Sequence, residues 1–407
     1  MTEKLYDKDA YAKEFEAVVR GAEKVSDKDG KIFFEVVLDK TLFFPEEGGQ
    51  TPDKGELEVL YNGSKITFDV CDVQIKNEII YHSVVPKDAA EETIEECLSN
   101  GTAVFGRIDW DHRYSNMQQH SGEHIFSGLV HSTFGYDNVG FHLSDSVVTM
   151  DFSGPLTREN ILDIETRVNK AIYENIEIIP SFPSKEELEK IDYRSKKEID
   201  GQVRLITIPG YDICACCAPH VHRTGEIGIL KVVSVQNYKG GVRVSILCGL
   251  RALNLFRFDH DLVTEVAADF STSADNIKSS IAKLQEELGS TKQSLVAARG
   301  SLLEIELSKI PEEQANVAFF AKEMEQNQMR NMVNSLMEKH SGYCGVFAGN
   351  DDSGYRFIVG IGDGDARNVL APLKEICTVK GGGSAQMIQG TLVGVTADKI
   401  KEIFDRI

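Results

Sequence analysis

Two short stretches carry the residue types that can do metal chemistry. In QQHSGEHIFSG, His120 and His124 stand four residues apart, with Glu123 just before the second. In YDICACCAPHVHRTGEIG, Cys216 and His220 are again four apart, and Cys217 and His222 lie beside them. On a helix, residues four apart have Cβ atoms roughly 5–6 Å from each other on one face. Two imidazoles can then converge on one ion at about 2.0–2.1 Å. A thiolate joined to imidazoles suits Zn2+. An HxxxH pair alone is common, and His131, on nearly the same stripe, shows how easily an unrelated histidine lands there. Two separate pairs, one with a thiol, make the stronger pattern. Structural zinc knuckles use more cysteines in two tight pairs, so three histidines with one cysteine suit a site that also holds water or substrate. The same letters permit another chemistry. HSGEH matches H-x-x-E-H, the helix signature of inverted zinc metallopeptidases, with Glu123 as general base. That reading needs a downstream glutamate as third ligand and leaves the Cys216/His220 pair a coincidence. A non-catalytic module with structural zinc is the third possibility.

The elements around these stretches are legible as patterns. Met117, His120, His124, Ile125 and Leu129 follow three-four spacing and Gly135 stands near the end, which predicts a helix over 111–136. Before it, KIFFEVVLDKTLFF, LEVLY, ITFDVCDVQI and EIIYHSVV read as short strands separated by PEEGGQTPDKG and YNGS turns. They predict a small β-barrel of about ninety residues, preceded by a strand or short helix over 1–20 and left by way of DAAEETIEECLSNGTAVFGRIDW. After the helix, VGFHLSDSVVTMDF reads as a strand pair, and Thr157 with Asn160 three residues on opens a second helix. SKEELEKI is a short helix, while QVRLITIP and GIGILKVVSVQNYKGGVRVSILCG are strands, so the middle region mixes helices with an antiparallel sheet. Residues 255–308 change character: NIKSSIAKLQEELGSTKQSLVAARGSLLEIELSKI has neither proline nor aromatics and keeps helical apolar spacing. It predicts a long exposed helix or helical hairpin, closed by Pro311. The final stretch alternates strands and helices around KGGGSAQMIQG.

Composition narrows the class. The 407 residues, 42% apolar and 27% charged, are enough for at least two cores. The start has no signal-type apolar stretch, and no run approaches about eighteen apolar residues. The eight cysteines are scattered except for Cys214, Cys216 and Cys217, which suits a reducing cytosol better than a disulfide framework. A formal charge of −20 argues against broad nucleic-acid binding, while leaving room for a local basic track. Arg194, Lys196 and Lys197 in DYRSKKEID form such a group, most simply read as a solvated face.

The ordered set TLFFPEEGGQTPDKG, DWDHRYSNMQQHSGEHIFS, CACCAPHVHRTGEIG and GVRVSILCGLRAL resembles the editing domain of alanyl-tRNA synthetase. More closely it is similar to the free-standing AlaX family of alanyl-tRNA editing proteins, in a long form. The resemblance implies an α+β chain in four parts: a translation-factor-like β-barrel over 1–95, a zinc-dependent editing domain over 96–252, a helical oligomerisation segment over 253–310 and a DHH-associated α/β domain over 311–407. No ATP-dependent aminoacylation domain is expected before residue 31. The family's metal ligands fall on His120, His124, Cys216 and His220. Cys217 departs from the family, many members of which have glycine or another small residue there. The implied reaction is hydrolysis of the ester joining a wrong amino acid to tRNA(Ala), with serine or glycine as the misplaced group. A pocket for alanine cannot reject either strongly, since one small group is worth only about 1–3 kcal/mol. By the resemblance, Gly48, Gly49 and Gln50 approach the acceptor end, Thr224 lies in a turn framing the pocket, and Glu123 is a base or a support. His142 stands where it could read the serine hydroxyl. Lys380, Gly381, Gly382 and Gly383 resemble the part that contacts tRNA away from the acceptor end. A homodimer in the cytosol is expected, without membrane attachment. The sequence carries no Asp-His-His phosphoesterase motif, so no phosphoesterase activity is expected.

Overall fold

The computed structural model describes residues 1–26, 32–87, 91–195 and 201–407. Its contacts divide the chain into two units, Met1–Asp269 and Phe270–Ile407.

The first unit opens with a closed six-stranded antiparallel barrel. Around it run Glu14–Ser26, Ile32–Leu38, Ile79–Pro86, Ser64–Lys76, Gly55–Tyr61 and Ala103–Ile108. The alternation of IFFEVVL and GELEVLY turns Phe34, Val36, Leu38, Leu57 and Val59 into the barrel core. Four of these strands match the alternating runs of the sequence. The other two differ from expectation. Residues 14–26 form one long strand, and AVFGRI, read as a way out of the barrel, is the strand that closes it. It pairs with Glu14–Val18 on one side and Gly55–Val59 on the other. A six-residue run cannot announce closure, because both its partners lie far away in the chain.

The helix Trp110–Phe134 follows directly. Asp109 caps it by accepting from His112 N at 3.1 Å, and Gly135 ends it with φ +69°. Its apolar side, Ile125, Phe126 and Leu129, packs in one core with Val148, Met150, Val244 and Ile246. Those come from a four-stranded antiparallel sheet ordered Leu230–Tyr238, Gly241–Cys248, Val148–Phe152, Asn138–Leu143. The Thr157/Asn160 capping box forms as its spacing predicts and opens the helix Arg158–Glu174. A three-stranded sheet, Ile179–Ser181, Leu205–Ile208 and Asp212–Ala215, carries the chain toward Cys216. The helix Gly249–Asp269 ends this unit.

Two buried links fix the barrel loops against the helix. Arg113, with no exposure, donates Nε to both oxygens of Asp53 at 2.9 and 3.0 Å and Nη2 to Leu42 O at 2.6 Å. Asp53 also accepts from Phe44 N at 2.7 Å. The loop then zips onto the hairpin, with Leu143 N donating to Gly49 O at 2.7 Å and Thr51 N to Leu143 O at 3.1 Å.

The second unit begins with the helix Ile277–Ser308. A five-stranded sheet follows, ordered Val317–Ala321, Cys344–Asn350, Gly354–Gly360, Met387–Val393, Thr378–Gly383. The helices Gln326–Lys339, Leu370–Ile376 and Ala397–Arg406 cover it. Among the described residues no helix is long and apolar enough to cross a membrane.

Candidate metal centre

The helix and the loop after Asp212–Ala215 bring His120, His124, Cys216 and His220 together. One ligand atom from each lies within 4.8 Å of all the others. Cys216 Sγ stands 3.5 Å from His120 Nε2 and 3.4 Å from His220 Nε2. A tetrahedron with Zn–N of about 2.0–2.1 Å and Zn–S of about 2.3 Å has an N···S edge of about 3.5 Å. The four donors therefore fit that ion in chemistry, and these two N···S edges fit it in spacing.

The outward nitrogens explain why the inward ones converge. His120 Nδ1 meets Gln50 Oε1 at 2.7 Å, His124 Nδ1 meets Asp212 Oδ2 at 3.0 Å, and His220 Nδ1 meets Ser121 Oγ at 3.0 Å. Each partner holds its ring with Nε2 facing the cluster, as outer partners of metal-bound histidines do. The loop bearing the thiol is held by Arg204, whose Nη1 donates to Cys216 O at 3.0 Å and Ala218 O at 2.8 Å.

Electrostatics separate the two neighbouring cysteines. Burial pushes the Cys216 thiol up, but the charges of His120 and His220 overcome it and hold it well below the ordinary range. Burial and the Cys216 charge push Cys217 the other way. Burial drives His220 down to about 3, against the opposing pull of the Cys216 charge. For His124 burial acts downward too, yet the hydrogen bonds to Asp212 and Cys216 win and raise it to about 9. His124, Asp212 and Cys214 form a second close group. It is a poor metal site, because Asp212 already binds the Arg194 guanidinium and burial pushes the Cys214 thiol up to about 12.

The remaining candidates are placed unequally. Gln50 sits in the centre with its Oε1 on His120, while its buried Nε2 has no hydrogen-bond partner. Gly48 (φ +64°) and Gly49 (φ +87°) form the turn that delivers it, and a Cβ at Gly49 would lie 2.4 Å from Phe141 O. Cys217 faces this turn, its Sγ 3.7 Å from where a Cβ at Gly48 would be. Glu123 is buried, and its Oε1 accepts from Ser127 Oγ at 2.6 Å and Asn138 Nδ2 at 2.7 Å. Thr224 lies in a turn, Thr224–Ile227, as expected. Its hydroxyl donates to Ala171 O at 2.6 Å and accepts from Ile176 N at 2.8 Å, tying a turn to the end of a helix. His142 departs from expectation. It is exposed on the strand Asn138–Leu143, and strict alternation puts Phe141 on the other face, with its ring 4.8 Å from that of His120. Lys380, Gly381 and Gly382 lie in the second unit, exposed on the edge strand Thr378–Gly383. Arg194, read as part of a solvated basic face, is instead half-buried and paired with Asp212. Lys196 and Lys197 lie outside the described residues.

Asp212, Ser121 and Phe141 were missed. Asp212, Cys214 and Cys216 stand at alternate positions of one strand and its continuation, so period two was the available signal for Asp212. In the first unit a cleft of 620 Å³ lies beside Lys54 and Arg107 and is lined by none of the four cluster residues. A cleft of 90 Å³, bounded by Tyr6, Ala10, Ile178 and Arg204, reaches His220.

Comparison with known proteins places this geometry. Residues 1–112 match the family "tRNA synthetases class II (A)", and residues 203–245 match "Threonyl and Alanyl tRNA synthetase second additional domain". An alanine–tRNA ligase of Ignicoccus hospitalis is 33% identical over 312 residues, 74% of this chain and 32% of that protein. The alanyl-tRNA editing protein AlaX-L of Pyrococcus horikoshii is 30% identical over 262 residues, 62% of this chain and 60% of the relative. The chain thus spans less than two thirds of the length of these two relatives. The alanyl-tRNA editing protein AlaX-M of Methanosarcina acetivorans is 35% identical over 244 residues, 58% of this chain and 94% of that protein. Since nearly the whole of that editing protein has its counterpart here, this chain belongs to the AlaX family of alanyl-tRNA editing proteins.

Proposed function

We propose that this chain is a zinc-dependent hydrolase that acts in trans on tRNA(Ala) wrongly charged with serine or glycine. The observation that carries the reading is the convergence of His120, His124, Cys216 and His220. The names of the AlaX relatives support the substrate class. When bound there, zinc would polarise the ester carbonyl and lower the pKa of a bound water.

The residues of the chain prepare that chemistry. An aminoacyl ester is already activated, so no dedicated nucleophile is needed. Gln50, Asp212 and Ser121 keep the three rings in register. Gln50 Nε2, buried and unpartnered, is the donor best placed to meet an oxygen of the ester. Phe141 packs on His120 and keeps that flank dry. Glu123 supports the helix through Ser127 and Asn138 in place of acting as a base. Gly48 and Gly49 offer backbone without side chains to the acceptor end. Lys380, Gly381 and Gly382 present an open strand edge, with backbone N–H groups suited to phosphate elsewhere on the tRNA. The order of four parts belongs to the same proposal, with the barrel carried past 95 to Ile108, the end of the strand that closes it.

The test is deacylation of Ser-tRNA(Ala), Gly-tRNA(Ala) and Ala-tRNA(Ala) by zinc-loaded protein. Release of serine or glycine with alanine spared is expected. No release of either from a protein that holds zinc would overturn the reading in favour of a non-catalytic module. Peptide cleavage in its place would point to the metallopeptidase.

A further inference from the structure

Just before the strand Asp212–Ala215 is reached, an earlier segment lays itself along it. Arg194 N donates to Ile213 O at 2.8 Å, and Ala215 N donates to Arg194 O at 2.9 Å. This pairing sends the Arg194 side chain inward. Its Nε donates to Asp212 Oδ1 at 2.7 Å and its Nη2 to Asp212 Oδ2 at 2.9 Å. The same Oδ2 meets His124 Nδ1 at 3.0 Å. Side-chain exposure falls from 13% at Arg194 to 1% at Asp212 and 2% at His124.

The three groups form one line, from the edge of the unit to the inside of the cluster. His124 is the one cluster histidine whose outer nitrogen meets a carboxylate, since His120 meets an amide and His220 a hydroxyl. A carboxylate alone can rotate about its Cβ–Cγ bond. Two parallel hydrogen bonds from a planar guanidinium fix its plane, and with it the direction in which Oδ2 faces the ring. The guanidinium charge also balances that of the buried carboxylate.

We infer that Arg194 is a positioning residue for His124, acting through Asp212 to set how that ring presents Nε2 to the metal. The inference rests on the zinc reading above. The Arg194 guanidinium bonds to Asp212 and not to the four cluster residues; its effect is on how tightly and in what geometry the ion is held.

The experiment uses the full chain, loaded with zinc or with Co2+ as a spectroscopic substitute. Zinc content of the wild type is measured first. If the wild type holds no zinc and gives no thiolate–Co2+ band, both the zinc reading and this inference fall. If it holds zinc, Arg194→Met is expected to release the ion to a chelator about tenfold to a hundredfold faster, the range for outer partners of metal ligands. Its Co2+ ligand-field band should shift, because one ligand of the tetrahedron has turned. Arg194→Lys keeps the charge but not the paired bonds, so its release rate should lie between the two. Wild-type release and an unshifted band in Arg194→Met would overturn the inference while leaving the zinc site standing. Should Arg194→Met not fold, Arg194→Lys decides by the same two readings. Faster release with a shifted band supports the role, and wild-type values overturn it.

Discussion

At the scale of single residues, the site separates groups that only look alike. Cys216 and Cys217 are neighbours, yet one Sγ closes the cluster and the other faces the Gly48 turn. Cys216→Ala is expected to lose zinc and deacylation together, because a thiolate ligand supplies both charge and geometry. Cys217→Ala should keep zinc stoichiometry, as read by mass spectrometry of the native protein. The reverse pattern would move the ligand by one residue. Gln50→Leu removes the acceptor that holds His120 Nδ1 and should weaken zinc binding by about tenfold or more in competition with a chromogenic chelator. His142→Ala should leave zinc content and the ratio of Ser to Ala turnover unchanged, with stability within about 0.5 kcal/mol, because the side chain is exposed on the face opposite Phe141. A changed ratio would return His142 to the pocket.

Elements decide whether those residues meet. The helix Trp110–Phe134 supplies two ligands on one face, a local property of its spacing. The loop 42–53 supplies Gln50 because non-local links hold it, among them Asp53 on Arg113, Gly49 on Leu143 and Thr51 on Leu143. Asp53→Ala leaves a buried guanidinium without its partner and is expected to cost about 3–5 kcal/mol in urea denaturation. A loss below about 1 kcal/mol would show that the loop is held elsewhere. Gly49→Ala acts differently. The positive φ and the 2.4 Å approach to Phe141 O forbid a Cβ without backbone movement, so Gln50 would be displaced from His120. Zinc affinity should fall in this variant by at least as much as in Gln50→Leu. Unchanged affinity would mean that the turn relaxes at no cost to the ring.

At the scale of the whole molecule, the helix Ile277–Ser308 leaves apolar side chains in water. Ile281, Leu288, Leu295 and Leu302 recur every seven residues, with Leu284 and Ile305 at the intermediate positions, and all six are exposed. A strict seven-residue stripe is the pattern of a helix that pairs with another. A dimer is therefore expected in sedimentation at micromolar concentration, and Leu288→Glu with Leu295→Glu should give monomer. A wild-type monomer would leave this stripe to another role. Much of the chain was determined by its sequence alone. Alternating runs gave four barrel strands, the Thr157/Asn160 cap gave one helix start, and four-residue intervals picked out all four cluster members, because each depends on neighbours within a few residues. Barrel closure by Ala103–Ile108, the packing of Arg194 on Asp212 and the exposure of His142 beside an inward Phe141 were decided only by tertiary structure. In each of these the partner, or the buried face, lies in a distant segment, and a local pattern carries no information about which distant segment will arrive.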